Sequence, residues 1–144
     1  MQRVIDTWNQ LGRSARTVSE AFYEKLFEEN PALRLALVSS HFAVPEQAEK
    51  LTHMLSFAVT NLKRPDTLIP AARQLGKIHA ALGVRESHYD AAAGPLMKSL
   101  SQALGPEWTA ETATAWAEFY SLATGALKEG ARFPVTPAVP PRAS

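Results

Sequence analysis

The chain has 144 residues, 46% of them apolar and 20% charged, with a formal net charge of +1. That suits one globular unit with a sizeable core and argues against a mostly disordered chain or a second cofactor-binding domain. So small a charge sets up no field that would attract a nucleic acid or a membrane surface, and the absence of cysteine excludes disulfides, thiolate metal sites and thiol nucleophiles, leaving His, carboxylate or Tyr to hold any metal.

Taken in chain order, the apolar residues recur at helical spacing and show no sustained alternation of the strand type, so an all-α protein is expected. Val4, Trp8 and Leu11 mark a first helix, and Val18, Phe22 and Leu26 a second, with the break near Gly12 to Ser14. Asn30-Pro31 ends the second, because the residue before a proline is pushed out of the α region. A short helical turn over Pro31 to Leu37 and an irregular stretch over Val38 to Ala43 should follow. Val44, Ala48, Leu51, Leu55, Ala58 and Leu62 form the clearest stripe, with Pro45 in the first turn, where its missing N–H costs nothing.

The next stripe, Leu68, Ala72, Leu75, His79 and Leu82, has Asp66 as its expected cap and Gly83 as its stop. Ser87 and Asp90 resemble a capping box for a helix that runs to Leu104, where Gly105-Pro106 ends it. Thr109 is expected to cap a last helix whose inner face carries Ala113, Trp116, Tyr120, Ala123 and Leu127. The prolines from Pro134 to Pro141 do not suit a helix or a sheet interior. The expected division is therefore a folded domain over 1–132 and a proline-rich tail over 133–144. No apolar run approaches the roughly 18 residues of a membrane span, and the first residues lack the apolar stretch of a secretory signal, so a cytoplasmic location is expected.

Enzyme signatures are missing: there is no HExxH, P-loop or G-x-S-x-G, and the seven glycines never form a dinucleotide-binding fingerprint. The four histidines, His41, His53, His79 and His88, make no i, i+4 metal pair and would serve singly. His41 belongs to the irregular loop, and His53 to the outer side of its helix. His79 alone falls in an apolar stripe. Two readings are open for it: a core-edge histidine bonded to a backbone carbonyl, or the single imidazole by which an apolar wall holds haem iron.

The segment Leu75-Gly76-Lys77-Ile78-His79-Ala80-Ala81-Leu82-Gly83-Val84-Arg85-Glu86-Ser87-His88-Tyr89 resembles the proximal-histidine region of globins, above all bacterial single-domain globins and the globin domain of flavohaemoglobins. The shared pattern is a histidine, three residues, Gly-Val, then His-Tyr at the start of the next helix. The resemblance continues through Ala21-Phe22-Tyr23-Glu24-Lys25-Leu26-Phe27 with Asn30-Pro31, Leu104-Gly105, Trp108-Thr109, and Ala115-Trp116 with Tyr120, so it covers all but the tail.

It implies a globin fold whose helices pack around a haem pocket. His79 would bind the iron of haem b, with Leu75, Ile78, Val84 and Tyr89 around it, and Tyr23, Gln47 and Leu51 would line the opposite face. Tyr23 and Gln47 are the implied donors to a bound diatomic gas such as dioxygen, nitric oxide or carbon monoxide. Lys50 and His41 are the alternative internal ligands. Besides the missing reductase, the pattern departs from the family at two residue positions. The family's haem-packing phenylalanine falls at Leu37, with Phe42 as the candidate replacement. The glutamate that joins the proximal histidine and tyrosine falls at Ala131, with Glu129 two residues away, a helical rotation of about 200°.

The implied function is reversible gas binding. The enzymatic alternative is nitric oxide dioxygenation with a separate reductase, since no reductase sequence follows. A third reading is a globin-fold sensor or a haem-free interaction module. Oligomeric state is not legible.

Overall fold

A computed structural model describes residues 1–32 and 44–132. Leu37, Phe42, His41 and the tail therefore lie outside the described residues. Among those described, six α-helices and one short 3₁₀ turn account for nearly all the backbone, and there is no strand. The helices are α1 (Gln2–Leu11), α2 (Ser14–Glu29), α3 (Val44–Thr60), α4 (Pro65–Ala81), α5 (Glu86–Leu104) and α6 (Ala110–Arg132), with the 3₁₀ turn over Gly105–Glu107. No described helix is long and apolar enough to cross a membrane.

The all-α expectation holds, and the elements end where the backbone chemistry requires. Gly12, Gly83 and Gly105 all have positive φ, which glycine adopts at no steric cost. Thr109 caps α6, its hydroxyl accepting the Thr112 N–H at 3.2 Å. Two expected caps are corrected. Asp66 lies inside the first turn of α4, which begins at Pro65 with Arg64 at the N-cap. Ser87 lies inside α5, whose N-cap is Arg85. There the Arg85 N–H is taken up by His88 Nδ1 at 3.0 Å, so a histidine ring reaches back to the cap as the Asp90 carboxylate was expected to do. In both cases the preceding residue already has helical φ and ψ, and the cap moves outward with it.

The core gathers one face of each helix. Val4, Trp8, Val18, Phe22, Leu26, Val59, Leu62, Leu96, Leu100, Trp116 and Phe119 are buried together. Helix α2 crosses both α3 and α5, while α6 lies against α1, α4 and α5. At the crossing of α2 and α3 the Ser19 and Thr52 hydroxyls meet at 2.8 Å, each also within reach of a carbonyl of its own helix, Ala15 for Ser19 at 3.3 Å and Ala48 for Thr52 at 2.8 Å, so two hydroxyl protons are shared among three contacts.

The contact between α4 and α6 is the closest in the fold. A Cβ added at Gly76 would overlap the Leu127 carbonyl, and one at Gly130 would overlap the Arg73 carbonyl. The two backbones run antiparallel in direct contact. By contrast α3 and α4, consecutive in sequence, form no extensive contact among the described residues.

Candidate functional site

His79 occupies the last turn of α4. The chain then folds back on that turn: the Leu82 N–H donates to the Ile78 and His79 carbonyls, and the Val84 N–H donates to the His79 carbonyl at 2.9 Å. Gly83, at φ 95°, makes the reversal possible. The turn delivers the start of α5 beside His79. There Tyr89 stacks along the imidazole, with 6.2 Å between ring centroids, and the Tyr89 hydroxyl and His79 Nδ1 share a hydrogen bond of 3.0 Å. Nδ1 is therefore occupied, and Nε2 is the nitrogen left to bind a metal.

Burial lowers the His79 pKa from its ordinary value, so the ring is neutral at pH 7, the form that ligates. Of the two readings left open by the sequence, a bond to a backbone carbonyl is not what the structure contains: the partner is a phenol ten residues on. The lowered pKa also links stability to pH. As pH falls through about 6.5, the unfolded imidazole takes up a proton that the folded ring resists, so stability drops until the folded ring protonates as well. Denaturant midpoints measured at pH 7.5 and pH 5 should therefore fall less in His79→Gln than in the parent.

The other expected residues are arranged around this pair as follows. Leu75, Val84 and Tyr89 are half-buried, and Ile78 is 47% exposed. Leu82, expected on the inward stripe, is 72% exposed, because it lies past the last full turn, where the chain reverses. On α2, Tyr23 packs edge-on against Phe22 at 5.1 Å and beside Phe27 at 6.0 Å. Burial pushes its phenol up to about 12, so it stays an O–H donor at any physiological pH. Leu51 packs half-buried against the core, and Gln47 is half-buried at the start of α3. His53 and Lys50 are exposed. Among the described residues no group of three or more His, Asp or Glu could cage a metal, which leaves a single-imidazole site as the arrangement to consider.

Glu129 does not join His79 and Tyr89. It pairs with Arg73 across the contact between α4 and α6. Ala131, on the neighbouring turn, carries no group to replace it. What the sequence reading missed is the support from α6. The Tyr120 hydroxyl donates to the Tyr89 backbone carbonyl at 2.5 Å, Lys128 pairs with Asp90 at 2.8 Å and Arg132 with Glu86 at 2.8 Å. Tyr120 had been visible only as a stripe residue, and nothing in helical spacing tells a packing ring from one whose hydroxyl reaches a neighbouring helix.

A half-buried imidazole whose Nδ1 is engaged by a phenol and whose Nε2 is left to ligate is suited to holding a metal carried by a cofactor. The comparisons agree with that chemistry. A model of the globin family matches residues 20–127. The flavohemoprotein of Rhizobium meliloti (strain 1021) is 27% identical over 110 residues, covering 76% of this chain and 27% of that protein. This chain thus spans about a quarter of the length of the flavohemoproteins it matches. Neuroglobin of Danio rerio is 29% identical over 139 residues, covering 88% of this chain and 87% of that one. Among solved structures, a hexacoordinated heme protein from an anhydrobiotic tardigrade superposes with a TM-score of 0.80 at 19% identity, covering 90% of each chain, a likeness of fold. An engineered carbene transferase, built on a Rhodothermus marinus protein put forward as a nitric oxide dioxygenase, superposes with a TM-score of 0.79 at 27% identity, covering 91% of this chain and 89% of the other.

Proposed function

The chain belongs to the globin family, and on that premise we propose that it holds haem b through His79 and reversibly binds a diatomic gas. The observation that carries this reading is the 3.0 Å bond between His79 Nδ1 and the Tyr89 hydroxyl, which occupies one ring nitrogen and leaves the other as the ligand. When bound, the haem supplies an open iron coordination position for the gas.

The chain's own residues do the rest. His79, kept neutral by burial, donates its Nδ1 proton to the Tyr89 oxygen when Nε2 is the ligand, and this fixes ring tautomer and orientation. Leu75, Ile78 and Val84 supply apolar surface on that side, and Leu51 on the other. Tyr23 keeps its proton, since burial holds its pKa at about 12, and it matches the family's donor to the negative charge that builds on a gas ligand. A hydrogen bond of that kind is worth about 1.5–3 kcal/mol, or a roughly tenfold to hundredfold slower escape of the gas. Gln47 is the second donor that the family resemblance implies.

Nitric oxide dioxygenation with a separate reductase remains the enzymatic alternative, favoured by the likeness to flavohemoproteins. The engagement of Glu129 by Arg73 argues for gas binding over turnover, because no carboxylate of α6 reaches the His79–Tyr89 pair to raise the basicity of the ligand.

The test is an absorption spectrum after haem addition, in ferric, reduced and oxygenated forms, for the parent and His79→Ala. A strong Soret band in the parent, lost on gel filtration of His79→Ala and restored by added imidazole, is the expected result. A parent that takes up no haem would overturn the reading and favour a haem-free interaction module.

A further inference from the structure

We infer that Ser19 and Thr52 are positioning residues for the gas side of the proposed site: their hydroxyl pair fixes the register of α2 on α3, and so of Tyr23 relative to Gln47 and Leu51. Tyr23 lies one turn beyond Ser19 on α2, while Leu51 adjoins Thr52 on α3, with Gln47 one turn before Leu51. Among the described residues α3 rests on α2 and α1 and has no extensive contact with α4. The way α2 holds α3 therefore decides where Gln47 and Leu51 stand.

Most of that crossing is apolar: Ala15, Val18 and Phe22 of α2 and Ala48 of α3 are buried. Apolar contact is attractive but non-directional, so it leaves two helices free to slide by a fraction of a turn. A hydrogen bond between side chains resists such a slide, because it weakens steeply with distance and angle. Ser19 is fully buried, out of reach of water that could replace its partner. The contact between the two hydroxyls and that from Thr52 to the Ala48 carbonyl are both 2.8 Å, against 3.3 Å from Ser19 to the Ala15 carbonyl. Both protons serve the short contacts when Ser19 donates to Thr52 and Thr52 donates to Ala48. A chain of two bonds then links α2 to the backbone of α3.

Two other ties reach α3, and neither sets this register. Arg16 pairs with Glu49 at 3.7 Å, but both side chains are exposed, where such a pair is weak. The Trp8 indole N–H donates to the Ser56 hydroxyl at 3.2 Å, one turn past Thr52, and comes from α1 rather than α2.

The functional meaning of this inference rests on the proposed haem site, yet its first test needs no haem. The chain has no cysteine, so nitroxide labels can be placed through Glu24→Cys on α2 and His53→Cys on α3, both exposed positions. Pulsed electron–electron double resonance then reads the distance between them in the full haem-free chain. Ser19→Ala and Thr52→Val should each displace or broaden that distance, and Thr52→Ser should keep the parent distribution. The double variant Ser19→Ala, Thr52→Val should move no further than either single one, since both changes break the same bond. Ser99→Ala is the control, because Ser99 is also buried but its 2.8 Å bond to the Pro95 carbonyl stays within α5. An unmoved distance in the single variants, an equal movement in Ser99→Ala, or additive movement in the double variant would overturn the inference.

With haem and carbon monoxide added, the gas should escape from Thr52→Val faster than from the parent and no faster than from Tyr23→Phe, with Thr52→Ser at the parent rate. Displaced helices with an unchanged escape rate would refute the positioning role. Should far-UV circular dichroism show Ser19→Ala unfolded, Thr52→Val breaks the same bond from α3 and is read in the same way against Thr52→Ser. A parent that takes up no haem sinks the functional reading alone, leaving the distances to decide whether the pair registers α2 on α3.

Discussion

Gly130→Ala should destabilise the protein by about 2–3 kcal/mol, and Gly76→Ala by a similar amount, the usual range for overpacking against an interface that cannot give. Each new methyl group would meet a backbone carbonyl of the facing helix, Arg73 for Gly130 and Leu127 for Gly76. A side chain can rotate out of the way, but a helix backbone moves only as a whole. Against this, alanine gains up to about 1 kcal/mol over glycine in a helix interior. The two terms can be separated within the same protein. Gly125 also lies inside a helix, with nothing within 4 Å of an added Cβ, so Gly125→Ala should stabilise by about 0.5–1 kcal/mol. Urea denaturation of the three variants checks the sign as well as the size. Destabilisation in all three would show that close approach is not what selects Gly76 and Gly130. Because α4 carries His79, the two destabilising variants should also weaken haem retention, whereas the Gly125 variant, on the same helix as Gly130, should not.

Trp116→Ala should cost about 3–5 kcal/mol, the range for emptying a large aromatic site. Trp116 is fully buried, packs edge-on against Phe119 with centroids 5.5 Å apart, and meets Trp8 of α1 at 6.2 Å. Its indole N–H donates to the Thr7 hydroxyl at 2.9 Å, and that hydroxyl in turn donates to the Arg3 carbonyl at 2.7 Å. One side chain thus joins α6 to α1 by packing and by a buried polar chain. Trp116→Phe keeps most of the packing and loses the N–H, so its cost should be near the roughly 1–3 kcal/mol of an unmade buried bond. Trp108, half-buried beside the core, supplies the comparison: Trp108→Ala should cost less than half as much as Trp116→Ala in the same thermal or urea experiment. A cost at Trp108 equal to that at Trp116 would place the centre of the core elsewhere.

Local chemistry accounts for the parts of the molecule that were legible in the sequence. Apolar periodicity gave every described helix, and Gly12, Gly83 and Gly105 sit where positive φ ends one. The run from His79 through Gly83-Val84 to His88-Tyr89 carries the family resemblance, and it was that resemblance that implied the pairing of Tyr89 with His79 which the structure shows. Caps were less legible. Asp66 and Ser87 have the right side chains, but Pro65 and Glu86 were already helical, and an exposed first turn leaves one residue of freedom that composition does not settle.

The remaining features depend on which helices meet, and local spacing is silent on that. Gly76 and Gly130 read as weak points in two separate helices until α4 and α6 are laid together, when each becomes the gap that admits the other backbone. Glu129, two residues from the position implied by the family, is drawn to Arg73 by the rotation of α6 on α4. The hydroxyl of Tyr120 finds the Tyr89 carbonyl only because α5 and α6 run side by side. By itself the sequence determined the helices and their turns and, through its family resemblance, implied the His79–Tyr89 pair, all of them interactions within a few residues along the chain or across one reversal. The tertiary structure decided what holds that pair in place, because close backbone contact and bonds between distant helices depend on crossing angle and register, which arise only when the whole core packs.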